Sequence, residues 1–236
     1  PEYGNAEDCN FNLALINWGC KTLLEITERL KIEDELIPVW KEILRDLTPY
    51  PVKEGEGLMI GHGVPYINSH RHYSHLLAAY PLYLINKENP EEYKLIDESL
   101  KYWQSKPAAH RGYSYTGGAS IAAALGKGND ALDYLNKLFD NFGEMNFMSV
   151  NTLYRESGPV IETPLSGAQS IHDMLLQSWG GKLRVFPAVP DAWQDLAFQN
   201  MRTEGAFLVT ASRKAGKTEF ISIKSLVGEP CIVVTD

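Results

Sequence analysis

The stretch DCNFNLALINWGCKTLLEITERL, residues 8–30, indicates a helical fold. Its apolar residues recur mostly at steps of three and four, a spacing that places them on one side of an amphipathic helix. We therefore predict an amphipathic helix with one apolar stripe. The stripe consists of Phe11, Leu15, Trp18, Leu23, Ile26 and Leu30.

The same periodicity continues along the chain to about residue 180. Pro90, followed by Glu91 and Glu92, is a good helix start, because proline loses nothing at the first helical position and carboxylates favour the positive end of a helix. Short connections containing Gly, Asn or Pro suit antiparallel helix pairs. The further helices are predicted over residues 33–47, 72–85, 90–103, 113–125, 130–142 and 165–178.

Alternating apolar and polar residues replace the helical pattern after Trp193. Residues 206–213 and 218–226 alternate in this way, and Ala215-Gly216-Lys217 between them predicts a hairpin turn. Residues 231–234 are a third strand candidate. The predicted fold class is therefore mainly α, with a helical domain over residues 1–190 and a small antiparallel β module over residues 191–236.

The composition excludes several classes of protein. Lys and Arg number 22 against 30 Asp and Glu, a net charge of −8, and 44% of the residues are apolar, as in soluble globular proteins. No basic cluster is present, so we expect no nucleic-acid partner. The apolar runs are shorter than the ~20 residues that cross a bilayer, so no membrane span is expected. Cys9, Cys20 and Cys231 lack the close pairing of a zinc site or a disulfide framework.

The densest polar cluster is His70-Arg71-His72-Tyr73-Ser74-His75, and three interpretations of it stay open. In the first, His70, His72 and His75 are the metal ligands of a metal-dependent hydrolase. In the second, the cluster is a helix start whose histidines make ordinary hydrogen bonds. In the third, the cluster binds a polar ligand, because Arg offers a planar fork of donors and neutral His offers donors to hydroxyl groups.

Two carboxylates stand out by their surroundings. Glu2 lies in a loop before the first helix, and Glu162 lies among Pro and apolar residues before the last one. Desolvation of a carboxylate suits it to acid or base work, although a structural role is open for each. Tyr113 stands at a Gly-flanked loop, where it could stack on a sugar or simply pack.

Six motifs, in order along most of the chain, resemble the later part of the catalytic region of glycoside hydrolase family 95, the inverting α-L-fucosidases and α-L-galactosidases. They are Pro1-Glu2-Tyr3-Gly4, His70-Arg71-His72 with Ser74-His75-Leu76, Gly112-Tyr113-Ser114, Gly128-Asn129, residues 174–178 (MLLQS) and residues 186–193 (FPAVPDAW). The resemblance implies that the helices belong to an (α/α)6 toroid and that the final strands open the β domain that follows it.

The resemblance also implies roles for individual residues. Glu2 matches the general acid, and Glu162 falls at the general base. The substrate-binding positions are His70, Arg71, His72, Tyr113 and Glu156. The implied substrate is an oligosaccharide or polysaccharide, with no cofactor and no metal, and a periplasmic or secreted location is suggested.

Three positions depart from the family pattern. Glu162-Thr163-Pro164 replaces an Asp-Gly-Asn motif, Glu156 replaces a histidine, and Tyr113 replaces a tryptophan. An inverting enzyme needs its two carboxyl groups about 6.5–9.5 Å apart, and the extra methylene of Glu moves a carboxylate by roughly 1 Å, a scale that can cost a hundredfold in rate. We therefore expect a shifted substrate or a weakened enzyme; the alternative is a non-catalytic carbohydrate-binding relative.

The predicted helices account for about seven of the twelve in a toroid of this kind. The resemblance therefore implies a missing N-terminal part, supplied by the same parent protein or by another chain. The activity of these residues alone is an open question for the same reason.

Overall fold

The structure, a computed structural model, describes residues 5–142 and 162–235. The described residues contain six helices and eight strands. The helices are α1 (Asn10–Leu30), α2 (Ile37–Asp46), α3 (Pro90–Gln104), α4 (Gly112–Ala124), α5 (Gly128–Phe142) and α6 (Glu162–Leu175). The strands are β1 (Val52–Lys53), β2 (Gly57–Leu58), β3 (Leu176–Trp179), β4 (Lys182–Val185), β5 (Leu196–Thr203), β6 (Phe207–Lys214), β7 (Lys217–Ser225) and β8 (Ile232–Val234).

The chain divides into two compact units, of which the first ends at Ala109 and the second begins at His110. The first unit holds α1 to α3 and the β1–β2 hairpin, and the second holds α4 to α6 and the remaining strands. A helix-rich architecture with antiparallel sheets agrees with the mainly α prediction. The division into residues 1–190 and 191–236 stays a prediction.

Helix α1 is confirmed as a helix, but the apolar stripe is not the side that it buries in the described structure. The residues that α1 buries in the described structure are Asn10, Leu13, Ala14, Cys20 and Thr27. The predicted stripe instead lies largely in the open, with exposed fractions of 38% for Leu15, 45% for Trp18, 41% for Leu23, 44% for Ile26 and 62% for Leu30. Helix α1 therefore has apolar residues on two sides, and the periodicity of the sequence revealed only the side that is exposed.

Helix α3 begins as its sequence predicts. Pro90 occupies the first position, and the Asn89 side chain accepts hydrogen bonds from the amides of Glu91 and Glu92. Further along the helix, α3 contacts the β1–β2 hairpin, where the Ser99 hydroxyl accepts a 2.8 Å hydrogen bond from the Leu58 amide. These contacts place the buried ring of Trp103 beneath the polar cluster that follows β2.

The helix predicted over residues 72–85 is absent from the structure, which describes this stretch completely. A short 3-10 turn at Ser74–Leu76 is followed by irregular turns. Pro81 lies in the middle of the stretch, and a proline there cannot donate the helical hydrogen bond and crowds the preceding turn. Tyr83 has a φ of 49°, which also departs from the helical region.

In the second unit, α4 is the central helix and packs against both α5 and α6. Nearly all of its residues are buried, and most are Gly, Ala, Ser or Thr. Small side chains allow helix backbones to approach closely, so α4 can be enclosed without a long apolar side chain on every face. The predicted helices over residues 113–125 and 130–142 are confirmed as α4 and α5.

The helix predicted to reach residue 178 ends earlier, because a strand replaces its last turn. α6 ends at Leu175, and β3 then pairs antiparallel with β4 from Leu176↔Val185 to Trp179↔Lys182. The turn between them is Gly180-Gly181, with φ values of 60° and 71° that suit glycine. Pairing with a neighbouring strand therefore overrides the helical pattern of these residues.

The β6–β7 hairpin is confirmed, with its turn at Ala215 and Gly216. Strand β5, which was not predicted, joins it in the antiparallel order β5-β6-β7. The third predicted strand, β8, forms but pairs in parallel with β4 in the other sheet. Both sheets contribute to one core: Leu176, Leu183, Val185, Phe186, Phe198, Phe207, Val209 and Ala211. In the described residues, none of the helices is long and apolar enough to cross a membrane.

Candidate functional site

His70, Arg71 and His72 lie together on an irregular segment of the first unit, and each side chain is half-buried. The segment belongs to neither a helix nor a strand, so its backbone groups need other hydrogen-bond partners. The Tyr66 hydroxyl supplies two of them: it donates to the His70 carbonyl at 3.0 Å and accepts from the His70 amide at 2.6 Å. The indole of Trp103 donates to the same carbonyl at 3.1 Å.

The ring of His70 in turn fixes the next residues. The amide of His72 donates to His70 Nδ1 at 3.1 Å, and the two imidazole centroids are 5.2 Å apart at an edge-on angle of 68°. His70 Nδ1 also lies 3.4 Å from the carbonyl oxygen of His72. The segment thus combines a guanidinium and two imidazoles in a fixed backbone, which suits binding of hydroxyl groups.

His75 does not join this group as a metal ligand. It is only 3% exposed, and its ring is stacked on Tyr66 with centroids 4.8 Å apart. Among residues 5–142 and 162–235, no group of three His, Cys, Asp or Glu side chains is placed to hold a metal ion. The metal-hydrolase interpretation of His70, His72 and His75 is therefore wrong for the described structure.

Burial and the neighbouring charge of His70, in that order, lower the pKa of His75 to about 3. The imidazole of an unfolded chain has a pKa of about 6.5, so the folded state binds the proton less readily. The contribution of His75 to stability is thus fully present above pH 6.5 and is lost as the pH falls toward 3.

We expect acidification from pH 7.5 to pH 5 to cost about 2 kcal/mol of unfolding free energy through His75 alone. His75→Phe keeps an aromatic ring against Tyr66 and removes the titration, so urea unfolding of this variant should depend less on pH across that window. His62→Gln is the control, because His62 is exposed. Equal pH dependence in wild type and His75→Phe would contradict the assignment.

In the second unit, the structure brings Tyr113 and Glu162 to the same end of two helices. Thr116 and Ser166 hydroxyls are 2.8 Å apart, and those of Ser120 and Ser170 are 3.0 Å apart. Because the second pair lies four residues later in both helices, α4 and α6 run parallel. The first turns of both helices, which carry Tyr113 and Glu162, therefore lie side by side.

Glu162 is the first residue of α6, and its side chain is exposed in the described structure. The desolvation expected from its Pro and apolar neighbours is therefore not found in the part of the chain that is described. A carboxylate at this position interacts favourably with the positive end of the helix dipole. Tyr113 is half-buried in the first turn of α4.

Two predicted site residues, Glu2 and Glu156, lie outside the described residues. The structure adds residues that the sequence did not single out: Tyr66 and Trp103 behind His70, and the Thr116–Ser166 and Ser120–Ser170 pairs between α4 and α6. The sequence does carry a signal for the Ser and Thr pairs, because both helices have Ser or Thr four residues apart beside Gly and Ala. No comparable local signal marks Tyr66.

Residues 2–175 match the family model described as the glycosyl hydrolase family 95 catalytic domain. The matched region is well over half of the 236-residue chain and ends at the last residue of α6. The match confirms the resemblance drawn from the six motifs. No curated protein matches the chain.

Proposed function

We propose that this chain, which belongs to glycosyl hydrolase family 95, takes part in hydrolysing an α-L-fucoside or related glycan linkage with inversion. Glycoside hydrolysis itself follows from the catalytic domain that residues 2–175 match. That match carries the proposal, because it spans every proposed site residue from Glu2 to Glu162. The substrate is an oligosaccharide or polysaccharide.

In the proposed mechanism two carboxyl groups act on opposite faces of the sugar. Glu2, protonated, donates its proton to the glycosidic oxygen as the bond from that oxygen to the anomeric carbon breaks. Glu162, ionised, takes a proton from a water molecule whose oxygen attacks the anomeric carbon from the other face. The products are the free alcohol and the inverted sugar, and proton exchange with solvent resets both carboxyl groups.

The remaining site residues bind the sugar in this proposal. Arg71 and the imidazoles of His70 and His72 donate to hydroxyl oxygens, and Tyr113 offers an aromatic face. Glu156, as an acceptor, would select sugars that present a hydroxyl donor to it. The held geometry of the His70 backbone and the position of Tyr113 beside the start of α6 support these roles.

The test is an assay of the full-length protein on nitrophenyl α-L-fucoside and α-L-galactoside and on plant and host glycans. Nuclear magnetic resonance of the first product should show the β anomer, the sign of inversion. An α anomer formed first would contradict the mechanism. Sugar binding by calorimetry without turnover would instead support the non-catalytic carbohydrate-binding alternative, and Arg71→Ala should then abolish the binding.

We also propose that the helices of this chain belong to an (α/α)6 toroid, as the resemblance implies, and that other helices of the toroid cover the exposed apolar side of α1 and α2. On α1 this side carries Leu15, Leu23, Ile26 and Leu30. These residues follow helical spacing, with Gly19 at the position between Leu15 and Leu23. On α2 it carries Val39 and Ile43, exposed by 44% and 36%. Several exposed apolar side chains on one side of neighbouring helices are typical of an interface.

We expect Ile26→Lys to lower the unfolding free energy of the full-length protein by about 2 kcal/mol, because a cation would be buried against apolar partners. Glu28→Lys, an exposed position of the same helix, should change it by less than about 0.5 kcal/mol. Urea unfolding measures both. Equal small effects would show that no partner covers this side of α1.

A further inference from the structure

The Tyr66 side chain is buried, and its hydroxyl makes hydrogen bonds with both main-chain polar groups of His70. The side chain is 1% exposed, and its ring is stacked on His75 with an interplanar angle of 19°. Its hydroxyl both donates to the carbonyl and accepts from the amide of His70, at 3.0 and 2.6 Å. A single side-chain atom therefore satisfies both backbone groups of the first residue in the sugar-binding segment.

Trp103 completes the arrangement from α3. Its indole Nε1 donates to the His70 carbonyl at 3.1 Å, so that carbonyl accepts two hydrogen bonds from two buried rings. The His70 amide donates to the Tyr66 hydroxyl. Because residues 70–73 form no helix or strand, these side-chain bonds take the place of a secondary-structure ladder in fixing the backbone.

The position of the His70 backbone then determines the positions of the side chains that follow. His70 Nδ1 accepts from the amide of His72, so rotation of the His70 backbone would release His72 and displace Arg71 between them. Displacements near 1 Å in substrate-positioning groups can change rates by about a hundredfold. The position of the segment's polar atoms thus depends on the Tyr66 hydroxyl, supported by the Trp103 indole.

We infer that Tyr66 is a positioning residue that sets the geometry of the His70-Arg71-His72 segment for glycan binding. The inference rests on the proposed function of this segment, and Tyr66 itself need not touch the sugar. Phe keeps the ring that stacks on His75 and lacks the hydroxyl, so Tyr66→Phe isolates the two hydrogen bonds. Tyr102→Phe is the matched control: its ring lies edge-on to Tyr66 at 6.5 Å, and its hydroxyl makes no described contact with His70.

The first measurement is hydrogen exchange of the His70 amide in the full-length protein, resolved to single residues. Tyr66→Phe should accelerate this exchange at least about tenfold, since a lost hydrogen bond of roughly 1.4 kcal/mol is a factor of ten. Tyr102→Phe should leave it unchanged. This measurement does not depend on any activity, so it separates failure of the inference from failure of the proposed function.

The second measurement is the steady-state kinetics of whichever glycoside the wild type hydrolyses. Tyr66→Phe should raise KM about tenfold or more and lower kcat less, because the segment holds the sugar in both ground and transition states. A merely structural role would reduce the active fraction, and hence kcat, while leaving KM unchanged. Unchanged His70 exchange, or faster exchange with unchanged KM, would overturn the inference.

If Tyr66→Phe fails to fold, Trp103→Phe provides the decision. It removes one of the two donors to the His70 carbonyl and leaves the amide bonded to Tyr66. The expected rise in KM is then smaller, about threefold, and His70 amide exchange should be faster than in the wild type by less than about tenfold. No rise in KM for this variant would count against positioning through the His70 peptide.

Discussion

Glu162→Gln should lower kcat of the full-length protein on its glycoside substrate about a thousandfold and leave KM within about threefold. The amide of Gln is nearly the same size as the carboxylate but cannot take a proton from water. General-base catalysis by a positioned side chain is worth typically 10²–10⁴-fold. An interaction needed only in the transition state lowers kcat without weakening substrate binding.

The position of Glu162 explains why the effect should be large despite its exposure. α4 and α6 run parallel, so the first turn of α6 stands beside the turn that carries Tyr113. The Thr116–Ser166 and Ser120–Ser170 hydroxyl contacts join the two helices, and the Glu162 carboxylate is exposed to solvent. A general base needs such access to water together with a rigid support.

Controls separate base catalysis from a general loss of negative charge. Glu91→Gln is matched, because Glu91 is also an exposed carboxylate in the first turn of a helix, α3; it should leave kcat unchanged. Glu162→Asp, which restores the residue type that the family motif carries, should keep far more activity than Glu162→Gln. Activity that survives Glu162→Gln at the wild-type level would remove Glu162 from the mechanism.

Local sequence patterns predicted the elements that local forces determine. The start of α3 at Pro90 and the β6–β7 turn at Ala215 and Gly216 both follow from side chains within a few residues of the feature. The helix predicted over residues 72–85 does not form, and the reason is equally local: Pro81 interrupts the helical pattern.

Features determined by distant contacts could not be read in this way. β3 forms because Leu176–Trp179 pairs with β4, although its residues continue the periodicity of α6. The buried side of α1 depends on its neighbours in the fold, and a helix that is apolar on two sides gives periodicity no means to choose between them.

In the candidate site, too, some features follow from neighbouring residues and others from distant contacts. The cluster at His70, Arg71 and His72 was visible in the sequence because three polar side chains adjoin. Trp103, in contrast, reaches the His70 carbonyl from 33 positions away, so only the fold reveals it. The His75 ring looked like a possible metal ligand by spacing and instead fills a buried position against Tyr66.

Gly128→Ala should destabilise the second unit by about 3 kcal/mol or more, through a backbone clash. A Cβ on Gly128 would lie 2.5 Å from the Ala188 carbonyl oxygen and 2.5 to 2.6 Å from the carbonyl carbon and oxygen of Val189. These are main-chain atoms, which cannot move aside as a flexible side chain can. The substitution should therefore push the segment at Ala188 and Val189 away from the start of α5.

The separation would also break the bonds that fasten this segment. Asn129, the next residue, donates to the Asp191 carboxylate at 2.8 Å and accepts from the Asp191 amide at 2.9 Å. Two of the six sequence motifs, Gly128-Asn129 and residues 186–193, thus meet in one contact. Gly at 128 is required by this close approach rather than by an unusual φ angle.

Gly167→Ala is the matched control for this prediction. Gly167 is a buried residue of α6, and a Cβ there would meet Thr116 Cγ2 at 3.7 Å and Leu138 Cδ2 at 4.0 Å, both ordinary contacts. Ala in a helix interior is favoured over Gly by roughly 0.5–1 kcal/mol, so this variant should be stabilised. Urea-dependent hydrogen exchange of the α5 amides measures both effects. A similar stability for the two variants would mean that the segment at Ala188 and Val189 yields freely, and the contact between the two motifs would then not hold α5 to the β structure.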